Sequence, residues 1–192
     1  MVNTFSAKGR RRRFSRGEYN MNQTINDILS RRSCKAYRDE LPTKEQLDTI
    51  IEAGLYAASG RNRQGAIMLC VTDKALRDRL CALNAKILGT TADPFYNAPA
   101  VIVVLADKTV STSIYDGSLV MGNLMLAAHA IGIGSCWIHR AKERFENDEG
   151  KAILAELGIE GDYEGVGNCV VGYPERMPTE KLPRRDGRVF FA

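Results

Sequence analysis

An α+β sandwich, one sheet covered by helices on both sides, is the fold this sequence predicts. Three observations predict it. Helix-like and strand-like segments are interleaved along the chain. The runs 66–71 (AIMLCV) and 100–106 (AVIVVLA) are apolar at successive positions, so both faces of each strand must be covered. The stretch 116–138 (DGSLVMGNLMLAAHAIGIGSCWI) begins with a helix pattern that is apolar on every side, which places it at a core or an interface.

The elements follow in order. Asn22 to Ser30 reads as a short helix, and Arg31 to Tyr37 as an extended segment ending before Leu41-Pro42. Thr43 with Gln46 three residues on forms a capping box for a helix whose face holds Leu47, Ile50, Ile51, Gly54, Leu55 and Ala58. The polar corner Ser59 to Gly65 breaks it, the strand 66–71 follows, and Asp73 caps a helix reaching about Leu88. Pro99 introduces the central strand 100–106. The long apolar helix is stopped by Gly132 and Gly134, since glycine accepts the left-handed geometry of a helix end. Ser135 to Ile138 then reads as a short buried strand, 147–157 as a helix, 169–172 as a strand, and Val189 to Phe191 as a terminal strand-like run.

With 192 residues, 44% of them hydrophobic, the chain has enough apolar material for one domain with a real core. No uncharged apolar run reaches the roughly 18 residues of a membrane span, so a soluble, cytoplasmic protein is expected. The basic charge is concentrated: residues 1–20 carry six basic side chains against Glu18, a net +5, so within an overall +4 the other 172 residues carry −1. That arm lacks the apolar core of a secretory signal. It reads as a nucleic-acid-binding tail, a transit-like segment or a leader, and is expected to be disordered. Met21 directly precedes helix-like sequence, so the domain is expected over 21–192. Cys34, Cys70, Cys81, Cys136 and Cys169 are scattered, odd in number and without C-x-x-C, which fits buried thiols in a reducing compartment.

Several chemistries lack their motifs. Gly165-Val166-Gly167 has Val170 where a dinucleotide fingerprint needs its third glycine, and there is no phosphate-binding P-loop, H-E-x-x-H or G-x-S-x-G. His129 and His139 are the only histidines, too few for a convincing triad or zinc centre, so no metal is expected. A phosphate would have to be gripped by side chains. Arg31-Arg32-Ser33-Cys34-Lys35 offers forked guanidinium donors, a hydroxyl and an ammonium, with Arg31, Ser33 and Lys35 on one side of an extended segment and Arg32 on the other. Ser59 to Gln64 and Arg184-Arg185 add a second polar corner and a third basic group.

In this order the stretches RRSCKAY, AASGRNRQ, DGSLVMGNLMLAAHAIGIGSCWI, VGYP and a terminal PRR resemble the nitroreductase family of FMN-dependent oxidoreductases, over nearly everything from Met21 onward. The resemblance implies a three-layer α/β/α sandwich around a mixed or antiparallel sheet, in an entwined homodimer with an FMN at each of two interface sites. It implies that Arg31, Arg32 and Ser33 hold the FMN phosphate and ribityl chain, with Lys35 at the pyrimidine edge. Ser59, Asn62 and Gln64 match a loop given to the partner subunit's flavin. Trp137 and Ile138 are expected against one ring face, with the backbone N–H groups of His139 near N5 and Arg140 near O4. Arg184, with Arg185 beside it, matches a phosphate-reaching arginine, and Asn84 is a further candidate for the pyrimidine edge.

The implied activity is ping-pong transfer from NADH or NADPH through flavin N5 to nitroaromatics, quinones or similar electrophiles. It needs no dinucleotide-binding domain, because the nicotinamide only stacks on the flavin. No side-chain catalytic acid is assigned, and Arg61, Arg63 and Arg140 are the candidates to meet an NADPH 2′-phosphate. Gly65-Ala66 and His139-Arg140 depart from the family pattern on the substrate side. Two alternatives keep the fold: a flavin dehydrogenase, dehalogenase or flavin-fragmenting enzyme, and an FMN-binding sensor with little turnover. A nucleic-acid role would rest on residues 10–16 alone.

Overall fold

The computed structural model describes residues 22–180 and 183–191, and the basic arm expected over 1–20 lies outside the described residues. Its elements are α1 (Gln23–Ser30), α2 (Lys44–Leu55), β1 (Ala66–Val71), α3 (Lys74–Leu88), β2 (Ala100–Asp107), α4 (Ser113–Ala130), β3 (Gly134–Ile138), α5 (Ala141–Glu146), α6 (Asp148–Glu156) and β4 (Tyr163–Gly172). The starts of α2 and α3 are made by the capping side chains expected at Thr43 and Asp73, and α1, for which no cap was expected, is capped by Asn22. Asn22 accepts from the Ile25 N–H at 3.1 Å, Thr43 and Gln46 close a reciprocal capping box, and Asp73 accepts from the Leu76 N–H at 2.8 Å.

The four strands form one sheet in the order β1-β2-β4-β3, and every pairing is antiparallel. β2 is interior and buried nearly throughout. Its Ile102 and Val104 pack with Leu47 and Ile50 of α2 and with Val120, Met121 and Leu124 of α4. Its Val101, Val103 and Leu105 face the opposite layer, with Leu80 of α3, Phe145 of α5 and Ile153 of α6. That double burial is why the run is apolar at consecutive positions rather than at alternate ones.

Four expectations change. β4 begins at Tyr163 rather than at Cys169, because Gly165-Val166-Gly167 is strand: Val104 pairs with Gly167 and Leu105 with Gly165, leaving Val166 as a bulge. The charged stretch after β3 contains α5, whose short length left little periodicity to read. Leu55 is exposed and Ala58 lies beyond the end of α2, so the buried face is Leu47, Ile50 and Gly54. Val189 to Phe191 form no strand and are exposed.

A half-buried ion pair shapes the turn before β2. Arg77 of α3 donates to Asp93 at 2.7 Å and to the Ala98 carbonyl at 3.0 Å, while Asp93 also accepts from the Cys81 thiol and the Phe95 and Asn97 N–H groups. These bonds hold Tyr96 and Asn97 in the left-handed region, at φ 56° each. Burial raises the Asp93 pKa, but the bonds from Cys81 and Arg77 outweigh it and leave the carboxyl below its ordinary value. A folded pKa below the unfolded one stabilises the fold above about pH 4 and loses that contribution as pH falls through the folded value. Urea midpoints measured from pH 7 to pH 3 are expected to fall more steeply for the wild type than for Asp93→Asn; parallel curves would contradict this.

Candidate functional site

The segment after α1 runs along the edge strand of the sheet. The Cys34 N–H donates to the Ser135 carbonyl of β3 at 2.9 Å, and Cys34 is fully buried with its sulfur against the Ala36 carbonyl. Anchoring Cys34 inward leaves its neighbours Ser33 and Lys35 exposed on the other side of the extended chain. Burial raises the Cys136 thiol pKa, with Ser33, Lys35 and Arg31 pulling the other way, so the sulfur stays protonated at neutral pH.

The cations of this segment are used differently. Arg32 Nη1 donates to the carbonyls of Leu29, Ser30 and Arg31, closing the C-terminus of α1, and its Nε reaches the Glu180 carbonyl at 3.3 Å. Arg31 has a buried Nη1 with no hydrogen-bond partner. Lys35 Nζ sits 5.5 Å from the centre of the Tyr96 ring, on the turn that Arg77 and Asp93 hold.

The loop 59–64 is built elsewhere. Arg61, Asn62 and Gln64 all have positive φ, the Ser59 hydroxyl accepts from the Gln64 N–H at 3.2 Å, and Gln64 Nε2 donates to Asn62 Oδ1 at 3.1 Å. Buried Asp116, in the first turn of α4, fastens the loop through the Gly60 N–H at 3.1 Å. At the other end of α4, His129 Nε2 meets the Ser30 hydroxyl at 2.9 Å, next to Arg31. Thirteen residues separate Asp116 from His129, which at 1.5 Å each is about 20 Å. Within one chain the loop and the cationic segment therefore stand at opposite ends of a helix.

At the exit of β3, Trp137 packs with the α2/α4 layer over Gly167, where a Cβ would lie 2.6 Å from the indole nitrogen. Ile138 belongs to the opposite layer. The two side chains therefore leave β3 on opposite faces of the sheet, as the two-residue alternation of a strand requires. His139 is exposed, and Arg140 turns into the left-handed region at φ 79° with Nη1 on Glu143 at 2.6 Å. Asn84 is buried in α3 with its Oδ1 unpartnered. Arg184 and Arg185 are exposed on the tail, which passes Arg32 at Glu180. Two site features escaped the sequence reading, buried Arg144 and Asn168; an Asn inside an apolar strand was the only available signal.

Fold and site together define an α+β sandwich with a cationic segment along its edge beside a tryptophan-bearing strand. The chain belongs to the Nitroreductase family, whose family model matches residues 28–173. It is similar to the NADPH-flavin oxidoreductase of Vibrio harveyi, at 30% identity over 180 residues, covering 88% of this chain and 72% of that one. A nitroreductase with bound FMN from Bacteroides fragilis superposes with a TM-score of 0.79 at 26% identity, over 90% of this chain and all of that one. Another with bound FMN, from Desulfitobacterium hafniense, gives 0.80 at 25% identity, over 90% and 99% of the two chains.

Proposed function

We propose that this protein binds FMN through residues 21–192 and is an NAD(P)H-dependent oxidoreductase reducing nitroaromatics, quinones or similar electrophiles. The observation that carries the reading is Arg31. A buried guanidinium nitrogen without a partner is unfavourable, and a phosphate is the ligand that its planar fork satisfies best. Ser33 adds an exposed hydroxyl and Lys35 an exposed second cation along the same extended segment, so the residues fit the phosphate-bearing cofactor.

Bound there, FMN would supply hydride chemistry at N5, accepting from NADH or NADPH and delivering to the acceptor in a separate half-reaction. Arg31 and Ser33 hold the phosphate, Arg32 fixes the segment by closing α1, and Lys35 keeps positive charge at the pyrimidine edge. The N–H groups of His139 and Arg140 serve as donors to the ring, and Trp137 walls it. Arg184 and Arg185 supply further charge from the tail, and Asn84 an acceptor at the pyrimidine edge.

The site is completed in a homodimer. The exposed side of α4 carries Tyr115, Leu119, Gly122, Leu126 and Ala130, a stripe along the whole helix with Gly122 at its middle. Two copies crossing antiparallel there would bring each Ser59–Gln64 loop from its own end of α4 to the partner's Arg31 end. Free thiols and the lack of any helix long and apolar enough to cross a membrane among the described residues support a cytoplasmic setting.

The visible spectrum of the purified protein, followed anaerobically while NADH and then NADPH are added, tests the reading. Flavin bands that bleach and then recover on adding a nitroaromatic or quinone are expected. Recovery with free flavin alone would redirect the acceptor toward that named for the Vibrio relative. A colourless protein that takes up no added FMN would sink the assignment.

A further inference from the structure

Arg144 of α5 is fully buried, and no carboxylate among the described residues lies within ion-pair distance of it. Its guanidinium lies 4.6 Å from the centre of the Phe145 ring and 6.0 Å from that of Phe95, and its Nη1 donates to the Leu80 carbonyl at 3.3 Å. Burial pushes it down to about 9, still charged at neutral pH. An uncompensated buried cation is expensive to maintain, so what it holds is informative.

Its Nη2 donates to Oδ1 of Asn168, which is also fully buried, on β4. Arginine has no acceptor, so it dictates which way the amide faces: the oxygen toward Arg144 and the nitrogen away. Asn168 Nδ2 then donates to the Ile138 carbonyl at 3.1 Å and to the His139 carbonyl at 3.4 Å. Both carbonyls are thus drawn inward. The peptide bonds are trans, so in each planar unit the N–H points opposite to its carbonyl. The His139 and Arg140 N–H groups are aimed away from Asn168, and neither finds an acceptor among the described residues.

We infer that Arg144 and Asn168 are positioning residues for the cofactor ring: the pair fixes the two peptide units after β3 so that the N–H groups of His139 and Arg140 face the flavin. The inference rests on the FMN reading above. The chain of bonds from guanidinium to amide to carbonyl also polarises each peptide, which strengthens its outward N–H as a donor. It further explains how Arg140 is held in the left-handed region without being glycine, since the carbonyl before it is tied to the core.

Asn168→Asp separates this role from packing. The carboxylate keeps the shape and still accepts from Arg144, but it repels the two carbonyls instead of donating to them. Affinities for FMN and riboflavin are measured with wild type, Asn168→Asp and Arg144→Met, together with hydrogen exchange at the His139 and Arg140 amides with and without FMN. Because the pair serves the ring and not the phosphate, Asn168→Asp is expected to weaken both flavins by the same factor, about tenfold. It is also expected to abolish the protection that FMN gives those two amides. Arg144→Met is expected to act in the same direction, and Arg144→Lys to restore most of the loss.

If both variants bind both flavins as the wild type does, with the two amides still protected, the inference is overturned. Loss of FMN affinity with riboflavin affinity intact would also overturn it, by placing the effect at the phosphate. A wild type that binds neither flavin would overturn the cofactor reading itself, a result distinct from failure of the pair.

Discussion

Gly165→Ala is expected to destabilise the fold strongly next to the site. A Cβ at this position would lie 2.2 Å from the Ala141 carbonyl oxygen and 2.3 Å from its carbon. Both are backbone atoms in the first turn of α5, so no rotamer can relieve the overlap. Either the β4 bulge or the start of α5 must move, at about 3 kcal/mol. For a chain of this size that lowers the melting temperature by about 6–12 °C. The displaced turn directly follows His139 and Arg140, so flavin affinity is expected to fall with stability. Thermal melts of flavin-free and FMN-loaded protein check both, and an unchanged melt would show that α5 is more loosely seated than the structure has it.

Arg31→Met is expected to give the opposite signature, loss of binding without loss of stability. The wild-type Nη1 is buried and unpartnered, so removing the guanidinium while keeping an apolar stem removes an unfavourable group from the flavin-free protein. Its melting temperature is expected to stay level or rise. FMN affinity is expected to fall about a hundredfold, the scale of a lost forked contact to phosphate, while riboflavin, which has no phosphate, binds as before. Arg32→Met should differ, because Arg32 closes the end of α1 through three carbonyls and is structural in the flavin-free chain. A parallel loss of FMN and riboflavin in Arg31→Met would move the phosphate elsewhere, with Arg184 and Arg185 the next candidates.

The parts of this protein that were legible in the sequence obey local rules. Caps at Thr43 and Asp73 act within three residues, so their helices were readable from the side chains present. The central position of β2 was readable because burial on two faces forbids polar residues on either. The alternation that sends Ser33 and Lys35 outward while Cys34 goes inward is likewise a property of any extended segment.

What the sequence did not contain was anything set by contacts between distant segments. Gly165-Val166-Gly167 looks like a failed nucleotide fingerprint until β2 and α5 are laid against it, when it becomes a bulge with room for a helix and an indole. Trp137 and Ile138 are adjacent in the chain, yet the sheet assigns them to opposite layers. The 59–64 loop and the Arg31 segment, close together in the sequence, are separated in one chain by the length of α4. Arg144 reads as one more charge on a short helix, and only the fold shows it buried on Asn168 with two peptide units behind it. Capping, periodicity and charge are short-range and so were written in the residues themselves; peptide orientation at the site depends on hydrogen bonds across 24 and 30 residues of chain, which exist only once the sheet has brought β3, β4 and α5 together.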